Sequence, residues 1–120
     1  LGKDVLLEIE IQGALKIKKK FPEAVLIFVT PPSGEELRRR LIGRGTETME
    51  VIEKRLQRAL QESEGVEAYD YILVNDDIDT CTEKLHNLIR AAHEKGSRHM
   101  DIIENVRQDL RRIEDVTANI

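Results

Sequence analysis

The chain has 120 residues, 19 Lys and Arg against 23 Asp and Glu, a formal net charge of −4 and 40% hydrophobic residues, a size for one domain without room for two full cores. The acidic balance excludes a generally basic nucleic-acid binder, because neutralising phosphates needs a positive footprint, and no apolar run approaches the ~20 residues of a membrane span. Aromatics are 3% with no Trp, which argues against base-stacking platforms, and the single cysteine, Cys81, excludes an intrachain disulfide and a Cys-rich metal site, so a reducing, cytoplasmic setting is the default expectation.

The opening Leu1-Gly2-Lys3-Asp4 does not resemble a signal peptide. Residues 5–9 (VLLEI) form a nearly continuous apolar run, which predicts a strand buried on both faces. Residues 14–20 (ALKIKKK) change to helical spacing, closed by Phe21-Pro22. Residues 24–30 (AVLIFVT) predict a second buried strand, stopped by Pro31-Pro32. Ser33 can then cap a helix whose first turn carries Glu35 and Glu36, where the helix dipole favours acids; it runs through Leu37 and Leu41 to Gly43. Gly43-Arg44-Gly45-Thr46 is a break, and the long helix after it has the apolar stripe Met49, Ile52, Leu56, Ala59 and Leu60. Residues 71–74 (YILV) predict a third strand, running into Asn75-Asp76-Asp77. Asp79 or Thr80 can cap the helix that follows, with the stripe Cys81, Leu85, Leu88, Ile89 and Ala92. Apolar strands alternating with helices predict a thin, three-stranded parallel α/β sheet with right-handed crossovers. Gly96-Ser97 marks a boundary, beyond which Ile103, Val106, Leu110 and Ile113 recur as in a short coiled-coil seam. That tail helix can pack on its own domain or pair with another copy; residues 96–100 (GSRHM) also resemble a cloning junction.

Residues 36–58 (ELRRRLIGRGTETMEVIEKRLQR) carry the densest chemistry. Arg40 and Arg44 lie one helical turn apart, so their guanidinium groups can leave from one face. Gly43 and Gly45 bracket Arg44 and free the backbone to bring it close to a ligand. Arg55 lies on the next helix, off its apolar stripe. Converging arginines suit polyphosphate, because each planar fork binds two oxygens at once, and in phosphoryl transfer an arginine can contribute roughly 10³–10⁵ in rate. On spacing alone, a solvated basic face laced with Glu35, Glu36, Glu50 and Glu53 is the simpler explanation. His86, His93 and His99 have no accompanying ligand set, so no metal site is expected. Lys18, Lys19 and Lys20 read as a solvated helix end favoured by the C-terminal dipole. Asp76-Asp77 reads as a cap for the next helix rather than a Mg²⁺ site, and Cys81 as an inert core thiol.

Four motifs in register carry a resemblance. Arg40-Leu41-x-x-Arg44-Gly45-Thr46-Glu47-Thr48, followed by Ile52-x-x-Arg55-Leu56, resembles the lid segment of guanylate kinases. Residues 7–14 (LEIEIQGA) resemble that family's strand-to-helix signature, residues 28–33 (FVTPPS) its strand leading into the lid, and residues 69–77 (YDYILVNDD) its nucleotide-side strand end. The match covers about residues 2–92. It implies a partial P-loop NTPase-like three-layer α/β/α fold with a parallel sheet, plus a C-terminal amphipathic helix. Residues 1–95 would be the carboxy-terminal part of the domain, with the lid at about 33–64, and residues 96–120 a tail helix.

The resemblance further implies transfer of the ATP γ-phosphate to GMP, giving ADP and GDP, with Mg²⁺. Arg44 and Arg55 would be the lid arginines that close on the ATP phosphates, with Arg40 assisting. Asn75 and Asp76 would sit by the adenine. Glu10 takes the place of the usual Asp near the GMP site, with Ile11 beside it, and its extra methylene can displace the contact by roughly an ångström. Glu8 would support this strand end. No G-x-x-x-x-G-K-[ST] phosphate loop occurs in the chain, and the family's GMP-holding segment with the main Mg²⁺ ligands precedes the matched region. The expectation is therefore the second half of a kinase, inactive alone, with ATP and GMP as the parent's substrates and no nucleic-acid or membrane partner. Self-association through the tail helix stays open. The alternative is a catalytically inert guanylate kinase-like module that binds proteins, which has no need of Arg40, Arg44 and Arg55 together.

Overall fold

The structure, a computed structural model, describes residues 4–118. The opening Leu1-Gly2-Lys3, and residues 119 and 120 of the expected tail helix, lie outside the described residues. The chain divides into two compact units, Leu1–Thr82 and Glu83–Ile120.

In the first unit, α1 (Ile11–Lys20) precedes β1 (Ile27–Thr30), α2 (Gly34–Gly43), α3 (Met49–Ser63), a single 3₁₀ turn (Val66–Ala68) and β2 (Tyr71–Val74). The helix α4 (Ile78–His93) begins here and continues into the second unit. β1 and β2 pair in parallel, Ile27 opposite Tyr71 through Thr30 opposite Val74. The helical hairpin α2–α3 is the crossover, as a parallel pair requires.

Local sequence explains each helix start. Ser33 Oγ accepts from Glu36 N at 3.0 Å, capping α2 as expected, with Glu35 and Glu36 in the first turn. Thr48 caps α3 through Val51 N. At α4 the cap is Asp77: Oδ2 accepts from Thr80 N at 3.0 Å and from the Thr80 hydroxyl at 2.8 Å. This corrects Asp79 or Thr80 as the cap and agrees with the capping role read for Asp76-Asp77; Thr80 donates.

The sheet has two strands among the described residues, not three. Residues 5–9 form no strand, and Val5 is 81% exposed. A strand buried on both faces needs neighbours to supply ladder bonds and cover, and β1 and β2 pair only with each other among the described residues. The core is correspondingly small. Ala14, Leu26, Leu41, Ile52, Leu73 and Cys81 are its buried apolar residues, all in the first unit. The expected stripe of α3 is covered in part: Ile52 is 2% exposed, whereas Leu60 is 64% exposed and Met49 is also exposed.

One cross-chain anchor ties these elements together. Asp70 Oδ2 accepts from Leu26 N at 2.8 Å and lies 3.3 Å from Lys18 Nζ, which also donates to the Ala24 carbonyl. Lys18 is thus half-buried and paired rather than part of a solvated helix end, whereas Lys19 and Lys20 are exposed.

In the second unit α4 ends at His93, a turn at Gly96–Arg98 follows, and α5 runs over Met100–Ala118. His99 Nε2 lies 2.7 Å from the His93 carbonyl across that turn. Ile103, Val106, Leu110 and Ile113 are all exposed on α5. No helix among the described residues is long and apolar enough to cross a membrane.

Candidate functional site

The carboxyl ends of parallel strands are where open α/β sheets take ligands, because the chain turns away there and leaves a crevice. Here those ends are Thr30 and Val74. Asn75 N donates to Thr30 O at 2.7 Å, carrying the ladder one residue past β2. The helix α2 approaches from the other side through Arg40. Its Nη1 donates to Asn75 O at 2.8 Å, its Nη2 to Asp76 O at 3.3 Å and its Nε to Glu36 Oε1 at 3.0 Å. The structure therefore brings the Arg40 side chain against the backbone of Asn75 and Asp76.

Glu36 is the hub of this corner, and the sequence reading assigned it only to the helix start and a solvated face. Its carboxylate accepts from Arg39 Nε at 2.9 Å, from Arg39 Nη2 and from Arg40 Nε. Arg39 first, and then Arg40 against an opposing burial effect, hold the Glu36 carboxyl at about 2 from an ordinary 4.5. The signal was present as the i, i+3 and i, i+4 spacing of acid and bases on one helix. The Arg39 guanidinium is raised in turn by the same pairing.

Arg44 follows the end of α2, where Gly45 adopts φ +65° and donates to the Ile42 carbonyl at 3.0 Å. Only Gly takes that conformation without strain. Arg44 is exposed, and among the described residues no hydrogen bond or ion pair engages its side chain. Arg55, about two turns into α3 from the Thr48 cap, pairs with Glu47 of the connecting loop, Nη2 to Oε1 at 2.5 Å. The fork of Arg55 thus already grips an oxyanion supplied by its own chain.

Glu10 and Ile11 are engaged in local structure. Glu10 caps α1, its carboxylate accepting from Gln12 N at 2.8 Å and Gly13 N at 2.6 Å. A Cβ on Gly13 would lie 2.8 Å from Glu10 Oε1, so the glycine makes this close approach possible. Ile11 is half-buried and reaches Gly65, where an added Cβ would fall 2.2 Å from its Cδ1. Burial first, then the charges of Glu62 and Glu10, push the Tyr69 hydroxyl up. Glu8 is exposed.

The described residues do not make a Mg²⁺ cage. Among them no group of three or more His, Cys, Asp and Glu converges as metal ligands. The Asp77 carboxylate serves the α4 cap, and the Thr80 amide and then its hydroxyl hold it below the usual carboxylate range. His86 and His93 are exposed, and His99 lies 3.7 Å from Glu94.

Comparison with known proteins gives these positions a context. The guanylate kinase family model matches residues 1–92. The guanylate kinase of Halalkalibacterium halodurans is 50% identical over 97 residues, 81% of this chain and 48% of that protein. That of Caldanaerobacter subterraneus is 48% identical over 108 residues, 90% of this chain and 52% of that protein. A solved guanylate kinase from Anaplasma phagocytophilum superposes with a TM-score of 0.59 at 40% identity, over 75% of this chain and 42% of that one. The chain spans about half the length of the curated relatives it matches. With a parallel α/β fold of the P-loop NTPase kind and this similarity along residues 1–92, the chain belongs to the guanylate kinase family.

Proposed function

We propose that the chain is a carboxy-terminal portion of a guanylate kinase, whose reaction moves the ATP γ-phosphate to GMP to give ADP and GDP. The observation that carries this reading is the strand-end corner: Arg40 fastened to the Asn75 and Asp76 carbonyls, with Arg44 and Arg55 on the helical hairpin that joins the same two strands. Residues 1–95 are proposed as the kinase portion, with the lid at about 33–64, and residues 96–120 as a tail helix; a cytoplasmic setting goes with this reading.

Phosphoryl transfer demands positioning and charge stabilisation more than covalent chemistry from the protein. Arg44 and Arg55 are proposed as the catalytic pair that neutralises charge on the transferring group. Arg44 is exposed and set on a Gly turn, so it can swing inward as the lid closes. Arg55 has to exchange the Glu47 carboxylate for phosphate oxygens. Arg40, Asn75 and Asp76 form the proposed ATP side, where an Asn side chain can donate to and accept from a base edge. Glu10 and Ile11 form the proposed GMP side, and Glu10 has to give up its α1 cap to serve it. Mg²⁺ is proposed for the parent enzyme, bound mainly by residues outside this chain.

In the parent enzyme, Arg44→Ala and Arg55→Ala are each expected to lower turnover by roughly 10³ or more, measured by coupled ADP release. A loss of less than about tenfold in both would remove the catalytic assignment. The chain by itself, which contains no G-x-x-x-x-G-K-[ST], is proposed to be inactive and to bind ATP with a Kd above about 1 mM. Turnover by the purified chain, or micromolar binding by calorimetry, would overturn that part alone. Self-association is proposed through Ile103, Val106, Leu110 and Ile113 of α5; light scattering that shows a monomer at every concentration removes it.

A further inference from the structure

The Arg40 guanidinium is occupied by protein, and what occupies it points to a task. A guanidinium offers five N–H donors in a rigid planar fork. Three of its nitrogens have partners here: Nε on Glu36 Oε1, Nη1 on Asn75 O and Nη2 on Asp76 O. Glu36 lies one turn back on the same helix and sets the fork's direction, while the two carbonyls lie 35 and 36 residues away in sequence. The side chain is 30% exposed, so these contacts are partly shielded from water.

The segment it grips is held from other sides as well. Asn75 N donates to Thr30 O at the end of β1, and Asp77 is fixed by its bonds from Thr80. Each of residues 75–77 therefore has a tether, and Arg40 supplies the one on the carbonyl side of the first two. Peptide orientation at a residue sets where its Cβ points, so holding both carbonyls fixes the directions from which the Asn75 and Asp76 side chains start. A lysine cannot reproduce this grip, because one ammonium on a flexible stem lacks the fork that spans two carbonyls and a carboxylate.

We propose that Arg40 is a positioning residue for nucleobase recognition: it clamps the Asn75 and Asp76 peptides so that these side chains meet the base edge, and it is not a phosphate ligand. This rests on the reading of Asn75 and Asp76 as the base-facing pair.

The test is an NMR titration of the full chain with ATP, GTP and inorganic tripolyphosphate, following backbone amides at concentrations that register millimolar binding. In the unaltered chain, ATP and GTP should shift the amides of residues 75–77 differently. Tripolyphosphate should leave these amides in place and shift Gly45. In Arg40→Lys the difference between ATP and GTP at residues 75–77 should fall by about threefold or more, while the tripolyphosphate Kd changes by less than about twofold. A tripolyphosphate Kd weakened about fivefold or more would make Arg40 a phosphate ligand and overturn the inference. An unchanged difference between the two nucleotides would also overturn it, with the base-facing reading intact. No base-dependent shift at residues 75–77 in the unaltered chain would instead defeat that reading, and the inference with it. Should Arg40→Lys fail to fold, Glu36→Ala carries the same criteria, since it keeps the Arg40 charge and removes the acceptor that aims the fork.

Discussion

Asp70 should be the most consequential polar side chain for the stability of the first unit. It stands one residue before β2, and its Oδ2 joins Leu26 N at 2.8 Å to Lys18 Nζ at 3.3 Å. The Asp70 and Tyr71 amides return two bonds to the Leu26 carbonyl, at 2.9 and 3.1 Å. One carboxylate therefore connects the end of α1, the lead into β1 and the start of β2. Truncation to alanine leaves the Leu26 amide unpaired at a buried residue, a loss of about 1–3 kcal/mol. It also removes the counter-charge of Lys18, which keeps its bond to the Ala24 carbonyl. The two side chains are 28% and 29% exposed, so after screening this pair adds only about 0.5–1 kcal/mol. Asp70→Ala should thus destabilise by about 2–3 kcal/mol, Asp70→Asn by about 1 because its amide oxygen keeps the Leu26 bond, and Lys18→Met by less than about 1. Urea unfolding followed by circular dichroism reads this directly: at a slope of about 1–2 kcal/mol/M, the Asp70→Ala midpoint should fall by about 1–3 M. If Asp70→Ala and Lys18→Met cost the same, or both cost less than about 0.5 kcal/mol, the anchor is not organised around the Leu26 amide and the argument fails.

Gly43→Ala and Gly45→Ala both enter open space, yet should have opposite signs: Gly43 is helical, so alanine gains about 0.5 kcal/mol, whereas φ +65° at Gly45 makes alanine lose about 1 kcal/mol, measured by thermal unfolding. Ile52→Ala should cost about 2–4 kcal/mol as a core truncation, and Leu60→Ala, exposed on the same helix, less than about 0.5 kcal/mol; comparable losses would misplace the buried face of α3. Glu36 is depressed in the folded chain, so its contribution is fully present above pH 4.5 and is lost as pH falls toward about 2. The stability gap between the unaltered chain and Glu36→Gln should close over that window, and a gap that widens on acidification would reverse the assigned sign.

How much of this was legible in the sequence depended on how far each feature's partners lie along the chain. The helix α2 could be read from Ser33 to Gly43 because its cap, its acidic first turn and its Leu37 and Leu41 spacing are all local. The runs at residues 27–30 and 71–74 became strands because each finds the other. The run at residues 5–9 is as apolar as either, but apolarity states only what a segment would bury, and no described strand pairs with it. Glu10 could be noticed from its place in a motif, whereas its capture by the Gln12 and Gly13 amides depends on a close approach that the missing Cβ of Gly13 permits. Lys18 reads like Lys19 and Lys20 until Asp70, 52 residues on, selects it.

The arginines show most clearly what the fold adds. As members of the lid motif Arg40, Arg44 and Arg55 are alike in charge and in the donors they offer. In the structure they differ by what fills the fork: carbonyls and Glu36 at Arg40, the Glu47 carboxylate at Arg55, and no polar partner at Arg44 among the described residues. A fork closed on two backbone carbonyls and Glu36 is committed to holding the protein, because a phosphate would have to displace all three acceptors at once. The Arg55 fork, itself half-exposed and closed on one carboxylate, can exchange that carboxylate for a phosphate oxygen at little cost, since the two anions satisfy the same donors. The commitment of each guanidinium, rather than its position in the motif, therefore separates the residue that shapes the site from those able to meet a ligand's charge.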